Sequence, residues 1–228
     1  MIYPEILHEN EEVHTLEIEK SALLFAETFL NLWDNFILTA PMGAGKTHFL
    51  ITLLKKIGKN KSIVFKPDLI YKFSPKLESR SGNVYLNVYN VSDFIDNEVF
   101  YKLEHFRLKN QKYDLVIIDE YQFLNDRELE FLKSLSAKKI FCGLEKDYLN
   151  RTFSNLFKLK DLNPYSIRIR KLCRRCKKAE ITRNVRFINN ILDKSGETYK
   201  TPEEDPYLFV HETAYYESMC ENCYAKLC

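Results

Sequence analysis

A chain of 228 residues with 45% hydrophobic and 14% aromatic content can bury the core of one ordinary domain, or of a core domain with a small appendage. Its 34 basic and 32 acidic residues leave a formal charge of +2, which gives no support for a general nucleic-acid binder with one basic face; nucleic acid is not an expected partner. No apolar run approaches the ~18 residues of a membrane span, and the acidic start MIYPEILHENEEVHTLEIEK lacks a secretory or organellar signal, so a cytoplasmic protein is expected.

From Leu16 to Trp33, apolar residues at Leu23, Leu24, Ala26, Phe29, Leu30 and Trp33 recur at helical spacing, which predicts an amphipathic helix packed against the edge of a sheet. The run Phe36-Ile37-Leu38 then ends in a small-residue loop that closes on Gly45-Lys46-Thr47, followed by helical spacing at Phe49, Leu50, Leu53, Leu54 and Ile57. Strand, tight loop and helix in that order form a phosphate cradle, with Ala40 standing where the strict motif has its first glycine. Backbone N–H groups of the loop and the helix dipole favour an anion there. Lys46 would reach the outer phosphates and the Thr47 hydroxyl would ligate Mg²⁺.

Ser62-Ile63-Val64-Phe65 reads as a second strand stopped by Lys66-Pro67, residues 84–88 as a further β segment, and Asp93–Leu108 as a helix. Strands alternating with helices predict an α/β fold, a mainly parallel P-loop NTPase-like sheet flanked by helices. Leu115-Val116-Ile117-Ile118 is apolar enough to be buried on both faces, and it ends in Asp119-Glu120. Carboxylates at the C-terminal end of such a strand sit where ligands bind in open parallel sheets, and Asp119 is placed to anchor Mg²⁺. A helix over 125–135 capped at Asn125-Asp126, a strand at Ile140–Leu144 with Cys142 as a buried small residue, and an alternating strand at Ile167–Arg170 complete the core.

The last third changes character. Cys173-Arg-Arg-Cys176 and Cys220-Glu-Asn-Cys223 offer four thiolates, the donor set of a closed structural Zn²⁺ site. Their separation is longer than the ~15–20 residues of common ribbons, so a loop over roughly 185–212 must protrude between them. The basic residues Arg170, Lys171, Arg174, Arg175, Lys177 and Lys178 around the first pair read as solvated charge rather than a nucleic-acid surface. Disulfides are disfavoured in a reducing compartment.

The combination resembles the type II thymidine kinases, the cytosolic and viral family with a P-loop core and a zinc-binding lasso. Ala40-Pro41-Met42-Gly43-Ala44-Gly45-Lys46-Thr47 is similar to the family's G-P-M-x-x-G-K-[ST], and Asp119 to Phe123 to its D-E-x-Q-F. Gly143 to Tyr148 with Phe153, the first cysteine pair with Ala179 and Thr182, and Tyr216 before Cys220 and Cys223-Tyr224 extend the resemblance over residues 34–226. It implies three parts: an N-terminal helical extension (1–35), a kinase core (36–170) and a zinc-binding lasso domain (171–228). It also implies ATP bound by Pro41, Met42, Gly43, Ala44, Gly45, Lys46 and Thr47, Mg²⁺ held by Thr47 and Asp119, and Glu120 as general base for the thymidine 5′-hydroxyl. Met42, Gln122, Phe123, Tyr148, Phe153 and Tyr216 would contact the nucleoside, and Cys173, Cys176, Cys220 and Cys223 would hold structural zinc. A homotetramer is implied as well. Departures fall at Ile70-Tyr71-Lys72, where the family has D-x-R, at Ser79-Arg80-Ser81-Gly82, and at His211-Glu212 in place of the lasso's Gly-Gly. The competing readings are a helicase-type, nucleic-acid-stimulated ATPase, since GAGKT with D-E-x-Q also occurs in such motors, and a non-catalytic nucleotide-binding homologue.

Overall fold

The structure, a computed structural model, describes residues 11–58, 61–72, 74–79, 82–96, 113–195 and 214–228. Its centre is a six-stranded sheet of β1 (Asn35–Thr39), β2 (Ser62–Lys66), β5 (Val88–Asn90), β6 (Leu115–Asp119), β7 (Lys138–Gly143) and β8 (Tyr165–Arg168). The spatial order is β5-β2-β6-β7-β1-β8 and every pairing is parallel. Successive side chains of a strand point to opposite faces, and the two cores divide accordingly. Phe36, Leu38, Val64, Ile117, Ile140 and Cys142 face one side, while Ile37, Ile63, Phe65, Val116, Ile118 and Phe141 face the other. This two-sided burial is why the strands read as continuous apolar runs rather than alternating ones.

The first face is covered by α2 (Lys46–Ile57), whose Phe49, Leu50, Leu53 and Leu54 are buried, and by α1 (Glu11–Leu24) lying against it. The N-terminal helix differs from expectation in extent and in face. It is helical already at Glu11, the first described residue, and the segment buries His14, Ile18, Ala22 and Phe25, while Leu23 and Leu24 are exposed. A π turn follows at Phe25–Phe29, where Leu30 N donates to Phe25 O at 3.0 Å, and its extra residue rotates the apolar face of what comes after it. At the end of that turn the chain meets the sheet edge, where Phe29 and then Trp33 pack on Tyr165 of β8.

After the one-turn helix α3 (Asp68–Tyr71), the opposite face is covered by α4 (Val91–Asp96), α5 (Asp126–Ser134) and α6 (Ser154–Leu159). Asn125 caps α5 as expected, accepting from Glu128 N while the Glu128 carboxylate accepts from Asn125 N, both at 2.9 Å. The predicted strand over 84–88 is two strands. β4 (Val84–Tyr85) pairs with β3 (Leu77–Glu78) in a separate hairpin, and only β5 joins the main sheet. Of the helix expected at 93–108, Val91–Asp96 is helical and the remainder lies outside the described residues. The final core strand begins two residues earlier than expected, because Tyr165–Arg168 matches the register of Phe36–Thr39.

Beyond the sheet, β9 (Arg183–Ile188), β10 (Ile191–Leu192) and β11 (Ala214–Met219) form an antiparallel sheet in the order β10-β9-β11, followed by α7 (Glu221–Ala225). The segment expected as a loop from 185 therefore opens as a hairpin: Val185 and Phe187 pack into a small core with Ile181, Met219 and the cysteines. Residues 196–213, including His211-Glu212, lie outside the described residues.

Candidate active site

The phosphate cradle is built where β1 meets α2. Gly43 and Gly45 take φ values of 68° and 105°, left-handed backbone that a side chain resists. Lys46 is buried, with Nζ 3.5 Å from Ala40 O, so it is folded back into the loop it would leave for a phosphate. Ala40 in the first-glycine position is itself buried and donates to Gly143 O at 3.4 Å.

Asp119 ends β6, one strand removed from β1 across β7. It is fully buried, its Oδ2 lies 3.7 Å from Lys66 Nζ, and its Oδ1 has no hydrogen-bond partner among the described residues. Burial first, then the Glu120 carboxylate, push its pKa up to about 7 against the pull of Lys66 and Lys46. An unfilled, buried carboxylate oxygen within electrostatic reach of the P-loop lysine fits a hard divalent cation, whose ligands are oxygens.

Glu120 sits in left-handed backbone, φ 60° and ψ 44°, a conformation rare for a residue with a side chain and typical of functional turns. Gln122 holds it there. Gln122 Nε2 donates to Glu120 Oε2 at 2.6 Å, and Gln122 Oε1 accepts from Leu144 N at 3.1 Å. The close approach requires Gly143, since a Cβ at that position would lie 2.1 Å from Gln122 Oε1 and 2.8 Å from the Tyr121 ring. Gln122, expected at the nucleoside, thus has both ends of its amide engaged in orienting Glu120, although it also lines the cleft.

That cleft, about 670 Å³, runs between the two halves of the site. Met42, Gly43, Gly45, Lys46 and Thr47 form its phosphate side, and Glu120, Phe123, Leu144 and Tyr216 its other wall. Tyr216 comes from β11, opposite Arg186 of β9, so the C-terminal sheet closes the cleft. Phe153 packs edge-on against Phe123, ring centroids 6.2 Å apart, behind the lining. Tyr148 is buried away from the cleft lining, its hydroxyl accepting from Arg186 at 2.8 Å and its ring beneath that guanidinium at 4.0 Å. Arg186 also pairs with Asp193, so Tyr148 and Phe153 buttress this wall rather than line it.

The four cysteines converge. Their sulfurs all lie within 4.8 Å of one another, with Cys176 and Cys220 3.6 Å apart. Tetrahedral coordination with metal–sulfur bonds of about 2.3 Å needs sulfurs separated by roughly 3.8 Å, so the set could hold one metal ion. Backbone N–H groups of Lys178 and Ala179 draw the Cys176 thiol down to about 6, toward the thiolate that a metal needs, while burial raises Cys223 to about 12. The surrounding basic residues are not one uniform solvated set. Arg170 pairs with Glu180 and Arg175 with Glu217, and Lys171 is buried.

Several site residues carried no sequence signal. Asn184 and Ser218 bind the P-loop from the C-terminal sheet: Met42 N donates to Asn184 Oδ1 at 3.0 Å and Ser218 Oγ to Met42 O at 2.9 Å. α1 reaches the same loop. His14 Nε2 donates to Ala44 O at 3.0 Å, Ile18 fills the space where a Gly45 side chain would be, and Glu19 meets His48 at 2.9 Å. Each is a single polar or apolar residue distant in sequence from its partner, and no spacing marks it. Ile70 lines the cleft with Glu78 and Ser79, so the departure from D-x-R falls at its rim.

The family model described as thymidine kinase matches residues 35–224. Curated relatives named thymidine kinase include that of Mesomycoplasma hyopneumoniae strain 7448, 26% identical over 83% of this chain and 94% of that protein. Another, from Mesoplasma florum, is 26% identical over 82% of this chain and 89% of that protein. Among solved structures, domain III of the Thermotoga maritima replication initiation protein DnaA overlaps at a TM-score of 0.41 and 19% identity over 73% of this chain and 65% of that one, too slight a likeness to bear on function. The family match spans the P-loop, the Asp119-Glu120 strand end and all four cysteines, and the chain belongs to the thymidine kinase family.

Proposed function

We propose that the protein transfers the γ-phosphoryl group of ATP to the 5′-hydroxyl of thymidine, and of deoxyuridine, giving dTMP or dUMP and ADP in nucleotide salvage. The observation that carries this reading is the convergence of Lys46, Thr47, Glu120, Phe123 and Tyr216 on one cleft. Phosphoryl transfer asks a protein mainly for positioning and for charge placed where the phosphates develop it. Backbone N–H groups from Pro41 to Thr47 would cradle the triphosphate, and Lys46 would leave Ala40 O for its outer oxygens. Mg²⁺ held by Thr47 and Asp119 would supply further neutralisation when bound. Glu120, held by Gln122, accepts the proton of the 5′-hydroxyl. Phe123, backed by Phe153, and Met42 bracket the base, while Tyr216 closes over it with Tyr148 and Arg186 behind. Zinc on Cys173, Cys176, Cys220 and Cys223 would be structural, fixing the wall that carries Tyr216. A cytoplasmic homotetramer is the form that the family resemblance implies.

The test is product analysis with γ-labelled ATP, Mg²⁺ and a panel of deoxynucleosides, run beside ATP hydrolysis with and without single-stranded DNA. Labelled dTMP and dUMP, with hydrolysis indifferent to DNA, are expected. No labelled nucleoside from any pyrimidine, or hydrolysis that rises severalfold with DNA, would overturn the assignment.

A further inference from the structure

Three successive carbonyls of the P-loop are met by side chains from outside it. Met42 O accepts from Ser218 Oγ at 2.9 Å, Gly43 O from Lys171 Nζ at 3.3 Å, and Ala44 O from His14 Nε2 at 3.0 Å. The first two donors come from the C-terminal part of the chain. His14 comes from α1, which precedes the residues matched by the family model. The peptide it holds, between Ala44 and Gly45, opens α2, with Gly45 as the N-cap. Among the described residues no peptide bond is cis, and in a planar trans peptide the carbonyl and the N–H point in opposite directions. With Ala44 O turned to α1, the Gly45 N–H is turned away from it, at the helix end whose dipole favours an anion. Gly45, at φ 105°, has no side chain to limit rotation of this peptide. A hold on the carbonyl therefore decides where the N–H points. The hold is dry: His14 and Ala44 are buried, and Ile18 packs so closely that a Cβ on Gly45 would lie 2.1 Å from its Cδ1. A hydrogen bond shielded from water is stronger than one in contact with it.

We infer that His14 is a positioning residue of the donor site: by holding Ala44 O from α1, it aims the Gly45 N–H at a phosphate of the bound nucleotide. The inference rests on the reading of the cleft as a nucleotide triphosphate site. His14 touches no substrate and acts through the loop backbone. A donor already aimed at the anion needs no reorganisation when the nucleotide arrives, which is where its benefit to binding and transfer lies. The N-terminal helix is then a working part of the phosphate cradle, and its contribution is confined to the donor half of the cleft.

The test compares two amides at position 14. His14→Gln carries an N–H to about the depth of the imidazole Nε2, whereas the amide of His14→Asn is one carbon shorter and stops short of Ala44 O. Dissociation constants for ADP and for thymidine are measured calorimetrically on the wild type and both variants. Glycine-selective ¹⁵N spectra are recorded beside them, kept simple by the six glycines of the chain. His14→Asn is expected to weaken ADP about tenfold and to leave thymidine within about twofold. His14→Gln is expected to restore most of the ADP affinity. In the wild type and in His14→Gln, ADP should move the Gly45 amide proton downfield, and in His14→Asn that shift should shrink. Equal weakening of ADP and thymidine in His14→Asn marks a role in folding alone, and one ADP affinity in all three proteins removes the effect; either result overturns the inference. Should His14→Asn fail to fold, the wild type and His14→Gln carry the test, and a Gly45 amide that ADP leaves in place refutes it. Failure of the kinase reading is separate: it appears as normal ADP affinity and a shifted Gly45 amide in a wild type that phosphorylates no nucleoside.

Discussion

Gly143→Ala tests how Glu120 is held. The new methyl group would sit 2.1 Å from Gln122 Oε1 and 2.8–2.9 Å from two carbons of the Tyr121 ring. Tyr121 cannot yield cheaply, being fully buried with its hydroxyl donating to Leu144 O at 3.0 Å. The Gln122 amide must therefore move by about 1 Å, a displacement that breaks its bond from Leu144 N and releases Glu120. Overpacking of this kind costs about 1–3 kcal/mol, and an unsatisfied buried donor at Leu144 adds about 1–3 kcal/mol. A net loss of roughly 3 kcal/mol lowers the melting temperature of a chain this size by about 6–12 °C. Mispositioning a base by 1 Å costs about 10²-fold in kcat. Thermal melts followed by circular dichroism and steady-state thymidine phosphorylation read both effects. In a Gln122→Ala background the added methyl should cost less, since one of its two collisions is gone, and this coupling separates the Gln122 contact from general crowding. A Gly143→Ala protein with wild-type melting temperature and kcat would refute the account of how Glu120 is oriented.

Three further outcomes are expected. Because burial raises Asp119 to about 7, the metal-free folded state holds its proton more tightly than the unfolded chain does. Its stabilising contribution is complete below pH 4 and is lost as pH rises through about 7. Asp119→Asn should accordingly gain melting temperature relative to metal-free wild type at pH 7.5 more than at pH 5, and lose Mg²⁺-dependent activity; equal shifts at both pH values contradict this. Ile18→Ala empties the space over Gly45 and should cost about 2–4 kcal/mol in denaturant melts, whereas a change under about 0.5 kcal/mol would mean that α1 does not pack on the P-loop. Cys220→Ser should lower bound zinc from roughly one equivalent to near zero and expose the segment 171–195 to proteolysis. Retention of full zinc would dissociate Cys220 from the metal cluster.

The parts of the fold legible in the sequence were those written in local pattern. Apolar runs of three or four residues marked β1, β2, β6 and β7, and the glycine-rich turn before Lys46 marked the P-loop, because steric demands there act on adjacent residues. The capping box at Asn125 and Glu128 is local for the same reason. The four cysteines were legible by chemistry, since few other arrangements use two such pairs. What was not legible depends on contacts between distant segments. The apolar face that follows α1 is rotated by a π turn whose i to i+5 bond no periodicity announces. Gln122 stands out in the sequence only through its motif beside Glu120, and its bond from Leu144 N, 22 residues away, has no local mark. Lys171 read as surface charge among other basic residues, and only the fold brings it to Gly43 O, 128 residues away. The strands β9 and β10 were hidden in a stretch read as loop because a small antiparallel sheet needs only Val185 and Phe187 to face its core.

The central claim is that Glu120 is the base of a phosphoryl transfer to a nucleoside hydroxyl. The most direct measurement is single-turnover transfer from γ-labelled ATP to thymidine by Glu120→Gln, with thymidine and ATP affinities measured on the same preparation. Glutamine keeps the size of the side chain and cannot take the proton. The account predicts a rate lower by about 10²–10⁴-fold, with both affinities within a few-fold of wild type and the melting temperature preserved. A Glu120→Gln enzyme that transfers phosphate at the wild-type rate would contradict it.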